Sequence, residues 1–232
     1  MRILPLAILI ITLCGCSYVT CVDGSGISKE ESRGVAPFEN VVLAGNGDII
    51  LSNGDEAALT LVADSNILPH LRSDVIDNTL TIYSTRCIHP RTALVAYVTA
   101  PVIHAATLAG QGNITSNDTL NSSDLTVTVS GSGDIAINVT ADALISRITG
   151  SGNARITGVA ICHNSIIAGS GTLDAGTLNT TNTSIVVTGS GTANVTATDY
   201  LSVKISGSGE VLYSGTPRVS QTITGTGSVT AR

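Results

Sequence analysis

The chain has 232 residues, 43% of them hydrophobic and only 12% charged, with 24 glycines, one phenylalanine and no tryptophan. Its formal net charge of −6 argues against nucleic acid and anionic lipid as partners, because both would be repelled. Few charges and high hydropathy do not make it a membrane protein, since inward Val, Ile and Ala beneath a Thr, Ser and Asn surface produce the same composition.

Residues 1–15 read as a signal peptide. Arg2 supplies a thin positive start, and the apolar run over residues 4–13 is too short to span a bilayer as a helix but suits a secretory signal. The run ends in Leu13-Cys14-Gly15-Cys16, which resembles a bacterial lipobox with Cys16 as the lipidated residue. Cys14 is the weaker choice, because Leu13 stands before it where a small residue is wanted. An ordinary cleaved signal that happens to contain cysteines is the alternative. Ser17 after the cysteine resembles the pattern sorted to the outer membrane. Removing the signal leaves 10 Lys+Arg against 17 Asp+Glu, a net charge of −7. Attachment to the membrane would then run through the lipid alone. Residues 16–33, polar and Gly/Ser-containing, read as the lipidated cysteine and a flexible tether. Residues 34–232 read as one folded domain.

Residues 38–100 are the less regular half. Residues 41–43 and 49–51 flank a first Gly-x-Gly corner, and residues 57–62, 80–83 and 93–98 read as strands. Asp64-Ser65-Asn66 looks like a turn, and Asp77-Asn78 another. Beyond this the chain repeats itself. The corner pairs are Gly45 and Gly47, Gly110 and Gly112, Gly131 and Gly133, Gly150 and Gly152, Gly169 and Gly171, Gly189 and Gly191, Gly207 and Gly209, and Gly225 and Gly227. From Gly110 the steps are 21, 19, 19, 20, 18 and 18 residues. Such a period signals a solenoid, whose repeats bury their apolar faces by stacking on neighbours.

The columns of the repeat agree. Two residues before each corner stand Leu43, Leu108, Val129, Ile148, Ile167, Val187, Ile205 and Ile223. Beyond the corner stand Ile49, Ile114, Ile135, Ala154, Leu173, Ala193, Val211 and Val229. Two positions further the column is again apolar except at Ser116. Apolar residues two apart belong to strands, not helices. Glycine reaches φ > 0 without a Cβ clash, which lets the chain turn sharply between the strands. The residue after each corner is polar: Asp48, Asn113, Asp134, Asn153, Thr172, Thr192, Glu210 and Ser228. Stacked as an outward ladder, these place no two carboxylates side by side. The fold class is therefore all-β, a single-domain parallel β-helix with coils of about 18–21 residues, right-handed by the rule for parallel crossovers, with a left-handed helix of three six-residue sides as the alternative from an 18-residue period.

Phe38-Glu39-Asn40-Val41-Val42-Leu43, Gly45-Asn46-Gly47-Asp48-Ile49, Ala63-Asp64-Ser65-Asn66-Ile67-Leu68, Asp77-Asn78-Thr79-Leu80-Thr81-Ile82, Tyr97-Val98-Thr99-Ala100-Pro101 and Gly110-Gln111-Gly112, followed by the Gly-Ser-Gly series, carry a resemblance. In this order they resemble the auto-transporter adhesin head domain family known as the GIN domain, over roughly residues 33–213. The resemblance implies a β-helical, secreted or lipid-anchored bacterial domain without an established activity.

Candidate chemistry is sparse. Outside the cytoplasm two of Cys21, Cys87 and Cys162 can pair, and Cys87 with Cys162 is the expected bridge because Cys21 lies in the tether. Cys87-x-His89 and Cys162-His163 superficially resemble metal ligands, but no Cys-x-x-Cys or His-x-x-x-His accompanies them. The four histidines, His70, His89, His104 and His163, read as surface residues, and no metal or cofactor is expected. Calcium at the corners is disfavoured, because the Asp position becomes Asn, Thr, Glu or Ser. Phosphate cradling needs a helix after the glycines, and a strand follows each pair. Glycoside hydrolysis needs two facing carboxylates, whereas the outward columns carry Thr, Ser and Asn with Arg147 and Lys204 isolated among them. Asn-x-Ser/Thr triplets, as at Asn113, Asn138, Asn179 and Asn194, follow from composition. The expected function is a non-enzymatic, adhesin-like binding or scaffold module of the bacterial cell envelope, anchored at the outer membrane. Its partner would be an envelope or surface protein or glycan, with a homo-oligomer formed where a terminal coil pairs edge to edge. The alternative is a carbohydrate-active β-helix that binds or cleaves polysaccharide.

Overall fold

The computed structural model describes residues 21–232. The expected signal peptide, Cys14, Cys16 and the start of the tether lie outside the described residues. The described part of the tether is not flexible chain. β1 (Val22–Asp23) pairs parallel with a short strand near residue 88, and β2 (Ser28–Arg33) runs antiparallel to β5, introduced below. Ser28-Lys29-Glu30-Glu31 looks like linker by composition, yet it supplies the edge strand that closes the end of the sheet. Arg33 fastens it by donating to the carbonyls of Leu71 (3.0 Å) and Leu68 (3.1 Å).

β3 (Asn40–Ala44), β4 (Asp48–Asn53), β5 (Ala58–Asp64), β6 (Leu71–Ile76), β7 (Thr79–Ser84), β8 (Ile88–His89), β9 (Val95–Ala100) and β10 (Ala105–Leu108) complete the first half. β3 and β4 are the two sides of the first coil, and they stack parallel on β7 and β9. Three antiparallel pairs (β2–β5, β5–β9 and β6–β7) interrupt the parallel order at this end. They act as a cap, because antiparallel strands cover the exposed end of a parallel stack. The β6–β7 hairpin turns through Asp77 and Asn78 at φ 49° and 58°, a left-handed pair that Asp and Asn tolerate.

β11 (Asn113–Val129), β12 (Asp134–Gly150), β13 (Asn153–Gly169), β14 (Thr172–Gly189) and β15 (Thr192–Gly207) are each one entire coil, hydrogen-bonded in parallel to the next. β16 (Glu210–Ser214), β17 (Arg218–Gly225) and β18 (Ser228–Ala231) carry the stack to its last turn. The result is a β-solenoid of about seven turns. The three apolar columns point inward and form its core, with Leu108, Val129, Ile148, Ile167, Val187 and Ile205 all buried. The pattern fades at the far end, where all of β17 is exposed, Ile223 included.

The repeat length varies on the side away from the corners. Thr115 faces Ala136 but Thr119 faces Asn138, so β11 holds two extra residues there. Ser116, the one polar residue in the third apolar column, sits at this bulge, and its Oγ accepts the Asn138 N–H at 3.0 Å. Shifts between Arg155 and Gly158, between Ala175 and Asn179 and, in the opposite sense, between Thr180 and Asn182 absorb the other differences, leaving the Gly-x-Gly corners in register from coil to coil.

The two glycines of a corner have different reasons to be glycine. The first takes positive φ in most coils, for example 120° at Gly150. The second lies outside that region in every coil but the first, where Gly47 sits at φ 118°. At Gly209 a Cβ would lie 2.5 Å from Val187 Cγ1 and 2.9 Å from the carbonyl oxygen of Gly191 one coil earlier. Its requirement is close approach between stacked backbones.

Candidate functional site

The outer surface of the stack is built from two unlike ladders. On the side after the corner, the column runs Asp48, Asn113, Asp134, Asn153, Thr172, Thr192, Glu210. Over its first four members acid and amide alternate, so each amide donates to the acid below it. Asn113 Nδ2 reaches Asp48 Oδ1 at 2.7 Å, and Asn153 Nδ2 reaches Asp134 Oδ1 at 2.8 Å. A parallel column continues this with Arg155, Asp174 and Asn194, where Asn194 Nδ2 donates to Asp174 Oδ1 at 3.1 Å. Three carboxylates of this face, Asp48, Asp134 and Asp174, are paired in this way, while Asn194 Oδ1 is buried without a partner.

On the side before the corner, the column runs Thr107, Thr128, Arg147, Ile166, Val186, Lys204, Thr222. The next outward column is Ala105, Thr126, Ile145, Asn164, Ser184, Ser202, Ser220, so neither carries a carboxylate. Ile166 is 38% exposed. The exposed cations Arg147 and Lys204 bracket Ile166 and Val186, three rungs or roughly 14 Å apart at the usual strand spacing. The ion pairs among the described residues involve Arg33, His89 and Arg155, and neither of these two.

One pair with catalytic spacing is sealed. Ser146 Oγ lies 2.9 Å from His163 Nε2, the spacing of a nucleophile and its base, but both are buried in the core. His163 occupies an inward column between Leu144 and Thr183, which corrects its reading as a surface histidine: the β13 register turns it inside. Burial pushes its pKa down to about 4, so the imidazole is neutral. His104, by contrast, is half-exposed and bonds its own surroundings, Asp124 O at 2.9 Å and Ser122 Oγ at 3.0 Å.

The cysteines also differ from expectation. The disulfide joins Cys21 to Cys87, and Cys162 is a half-buried thiol within β13. The expected Cys87–Cys162 bridge fails because residues 21–23 return alongside β8 instead of trailing away. Asp64, read as a turn residue, is fully buried and accepts backbone N–H groups of Gly26 (2.6 Å), Arg91 (2.9 Å) and Thr92 (3.0 Å). Burial alone would raise its pKa, but these donors outweigh it and hold the carboxyl below its ordinary value.

A profile described as "Putative auto-transporter adhesin, head GIN domain" matches residues 37–217. The chain belongs to the GIN-domain family. Among solved structures this GIN domain is similar to a putative adhesin from Bacteroides fragilis, at 21% identity and TM-score 0.86, covering 91% of this chain and 100% of that one. It is also similar to a putative adhesin from Parabacteroides distasonis, at 27% identity and TM-score 0.75, covering 92% and 100%. A putative lipid binding protein from the same species, 21% identical with TM-score 0.79, covers 92% and 100%. No curated protein matches. The GIN domain is thus an adhesin-like module of the kind found at a cell envelope or surface.

Within it, the shallow hollows fall at the ends of the stack. One of about 230 Å³ beside Cys87 is lined by Leu43, Tyr83, Arg86 and Leu94, and one of about 490 Å³ lies at Tyr200 and Arg218. Neither gathers two facing carboxylates; the second holds Thr198, whose Oγ1 donates to Asp199 Oδ1 at 3.1 Å. The sequence singled out Arg147 and Lys204 as isolated; the register shows that they share one column with two apolar residues between them.

Proposed function

We propose that this GIN domain is a non-enzymatic adhesive module, lipidated at Cys16 and held at the outer membrane, that binds an extended, sparsely acidic glycan along the Arg147–Lys204 face. The carrying observation is the pair of unpaired cations bracketing Ile166 and Val186 on a face whose two central columns lack carboxylates. The opposite face pairs its own acids and amides and has fewer hydrogen bonds to offer. A net charge of −7 repels dense polyanions. A chain with well-spaced carboxylates meets mainly the local pair, because other charges are screened beyond about 8 Å at physiological salt. Thr and Ser columns supply hydroxyls for sugar hydroxyls. With no Trp and one buried Phe, stacking contributes little, so each site is weak and useful binding comes from many copies on one membrane.

The test is retention of the signal-free chain on an immobilised polysaccharide carrying widely spaced uronic acids, beside a neutral glycan, with product analysis in the same samples. Retention on the acidic polymer that weakens with salt and is lost in Arg147→Gln/Lys204→Gln supports the reading. Equal retention of the double variant overturns the site, and reproducible cleavage of the polymer overturns the non-enzymatic assignment in favour of a carbohydrate-active β-helix.

A further inference from the structure

The parallel pairing of β1 with β8 puts Val22 opposite Ile88 and Asp23 opposite His89. Cys21-x-Asp23 and Cys87-x-His89 are therefore laid side by side, and residues two apart on a strand share a face. The donor atoms of Cys21, Cys87 and His89 all lie within 4.8 Å of one another, and His89 Nδ1 lies 3.3 Å from Asp23 Oδ1. Two sulfurs and an imidazole whose ring is held by a carboxylate form the donor set and outer partner of a zinc-class site. In the oxidised chain the sulfurs are bonded to each other and cannot ligate.

The strands are aligned by more than that bond. Val22 N–H donates to the Cys87 carbonyl and Gly24 N–H to the His89 carbonyl, both at 2.9 Å. Just beyond, buried Asp64 holds Gly26 from one segment and Arg91 and Thr92 from the other. Gly24 is part of the same clamp, since a Cβ there would lie 2.5 Å from Asp64 Oδ2. Cys87 is exposed, so a reductant reaches it.

We propose that Cys21, Cys87 and His89, with Asp23 orienting the imidazole, bind one zinc-class divalent cation when the disulfide is reduced, making this corner of the cap a redox-gated metal site. A dithiol reductant attacks one sulfur and the S–S bond breaks. Its second thiol displaces the remaining cysteine, leaving two protein thiols and the reductant as its own disulfide. The metal then takes both sulfurs as thiolates and neutral His89 as ligands, and the two thiol protons pass to solvent. Water completes the shell. A disulfide-class oxidant takes the two electrons and two protons, leaving as two thiols; this restores the protein disulfide and expels the ion.

The test uses the full chain reduced with a water-soluble phosphine, which takes up water oxygen as the phosphine oxide and does not compete as a thiol ligand. Bound zinc is measured after desalting, and cobalt(II) reports the ligand set by its absorption spectrum. The expected result is one zinc per reduced chain and none per oxidised chain, with a thiolate-type cobalt spectrum. Affinity should fall at least tenfold in His89→Gln and Asp23→Asn, both of which keep the disulfide when oxidised. It should be unchanged in Cys162→Ser and in Cys14→Ser/Cys16→Ser. No zinc on the reduced chain, equal zinc on the oxidised chain, unchanged affinity in His89→Gln, or loss in the Cys162 or Cys14/Cys16 variants would each overturn the proposal.

Discussion

Single side chains in this protein are judged by which way the stack turns them. Ile135 and Asp134 are neighbours in sequence, but Ile135 is 1% exposed in the core while Asp134 stands on the outward ladder. Ile135→Asp puts a charge among apolar coils and is expected to cost about 4 kcal/mol or more. Asp134→Asn keeps an oxygen for Asn153 and should stay within about 0.5 kcal/mol; chemical denaturation of the two variants measures both. His163 supplies a pH dependence. Its folded pKa of about 4 lies below the ordinary 6.5, so between those values the unfolded chain binds a proton that the folded chain refuses. Stability should therefore fall as pH drops from 6.5 towards 4, by roughly 3 kcal/mol in all, and level off below. Denaturation midpoints of the wild type against His163→Leu over that range should show the slope flattened in the variant. Asp64 acts in the more acidic range. Its carboxyl is held below the ordinary value of 3.8, so its contribution is complete above that value and is lost as pH falls through the folded pKa. Hydrogen exchange at residues 22–33 and 88–92 should speed up there first, and at neutral pH in Asp64→Asn.

Corners and cap strands set the behaviour of whole elements. Gly150 and Gly152 belong to one corner but fail differently when changed. Gly150→Ala forces an L residue to φ 120° and brings its methyl to 2.8 Å from the Gly131 carbonyl, whereas Gly152→Ala drives a methyl against the Gly133 carbonyl and against Val129 Cγ1, the latter at 2.6 Å. Each should cost about 1–3 kcal/mol, read as a shift in denaturation midpoint. The cap answers to the disulfide: Cys21→Ser/Cys87→Ser should loosen β1 and β8, which form a separate two-stranded sheet, and leave the β11–β15 coils protected from exchange.

As a whole molecule the protein is a stack with one finished end and two unlike outer faces. Antiparallel strands cover the first coils, while β17 leaves its residues exposed. One face is closed upon itself by Asp–Asn pairs, and the other leaves Arg147 and Lys204 open beside Ile166. Arg147→Gln/Lys204→Gln should leave thermal stability nearly unchanged, since both residues are exposed and without ion partners, while removing the salt-sensitive retention on acidic glycan.

The sequence alone determined the coil, because a solenoid repeats one short physical solution. Apolar residues two apart, a Gly-x-Gly corner and a polar follower recur often enough to be read without knowing what stacks on what. It could not determine which distant segments meet. Residues 21–33 have linker composition, and only the pairing of β1 with β8 and of β2 with β5 makes them structural. His163 and Cys162 are adjacent in sequence, yet the register turns one into the core and leaves the other half-buried. The disulfide, the Asp64 clamp and the Arg147–Lys204 column all join residues by register between coils or by cap topology. Local spacing carries no record of either, so tertiary structure alone decided them.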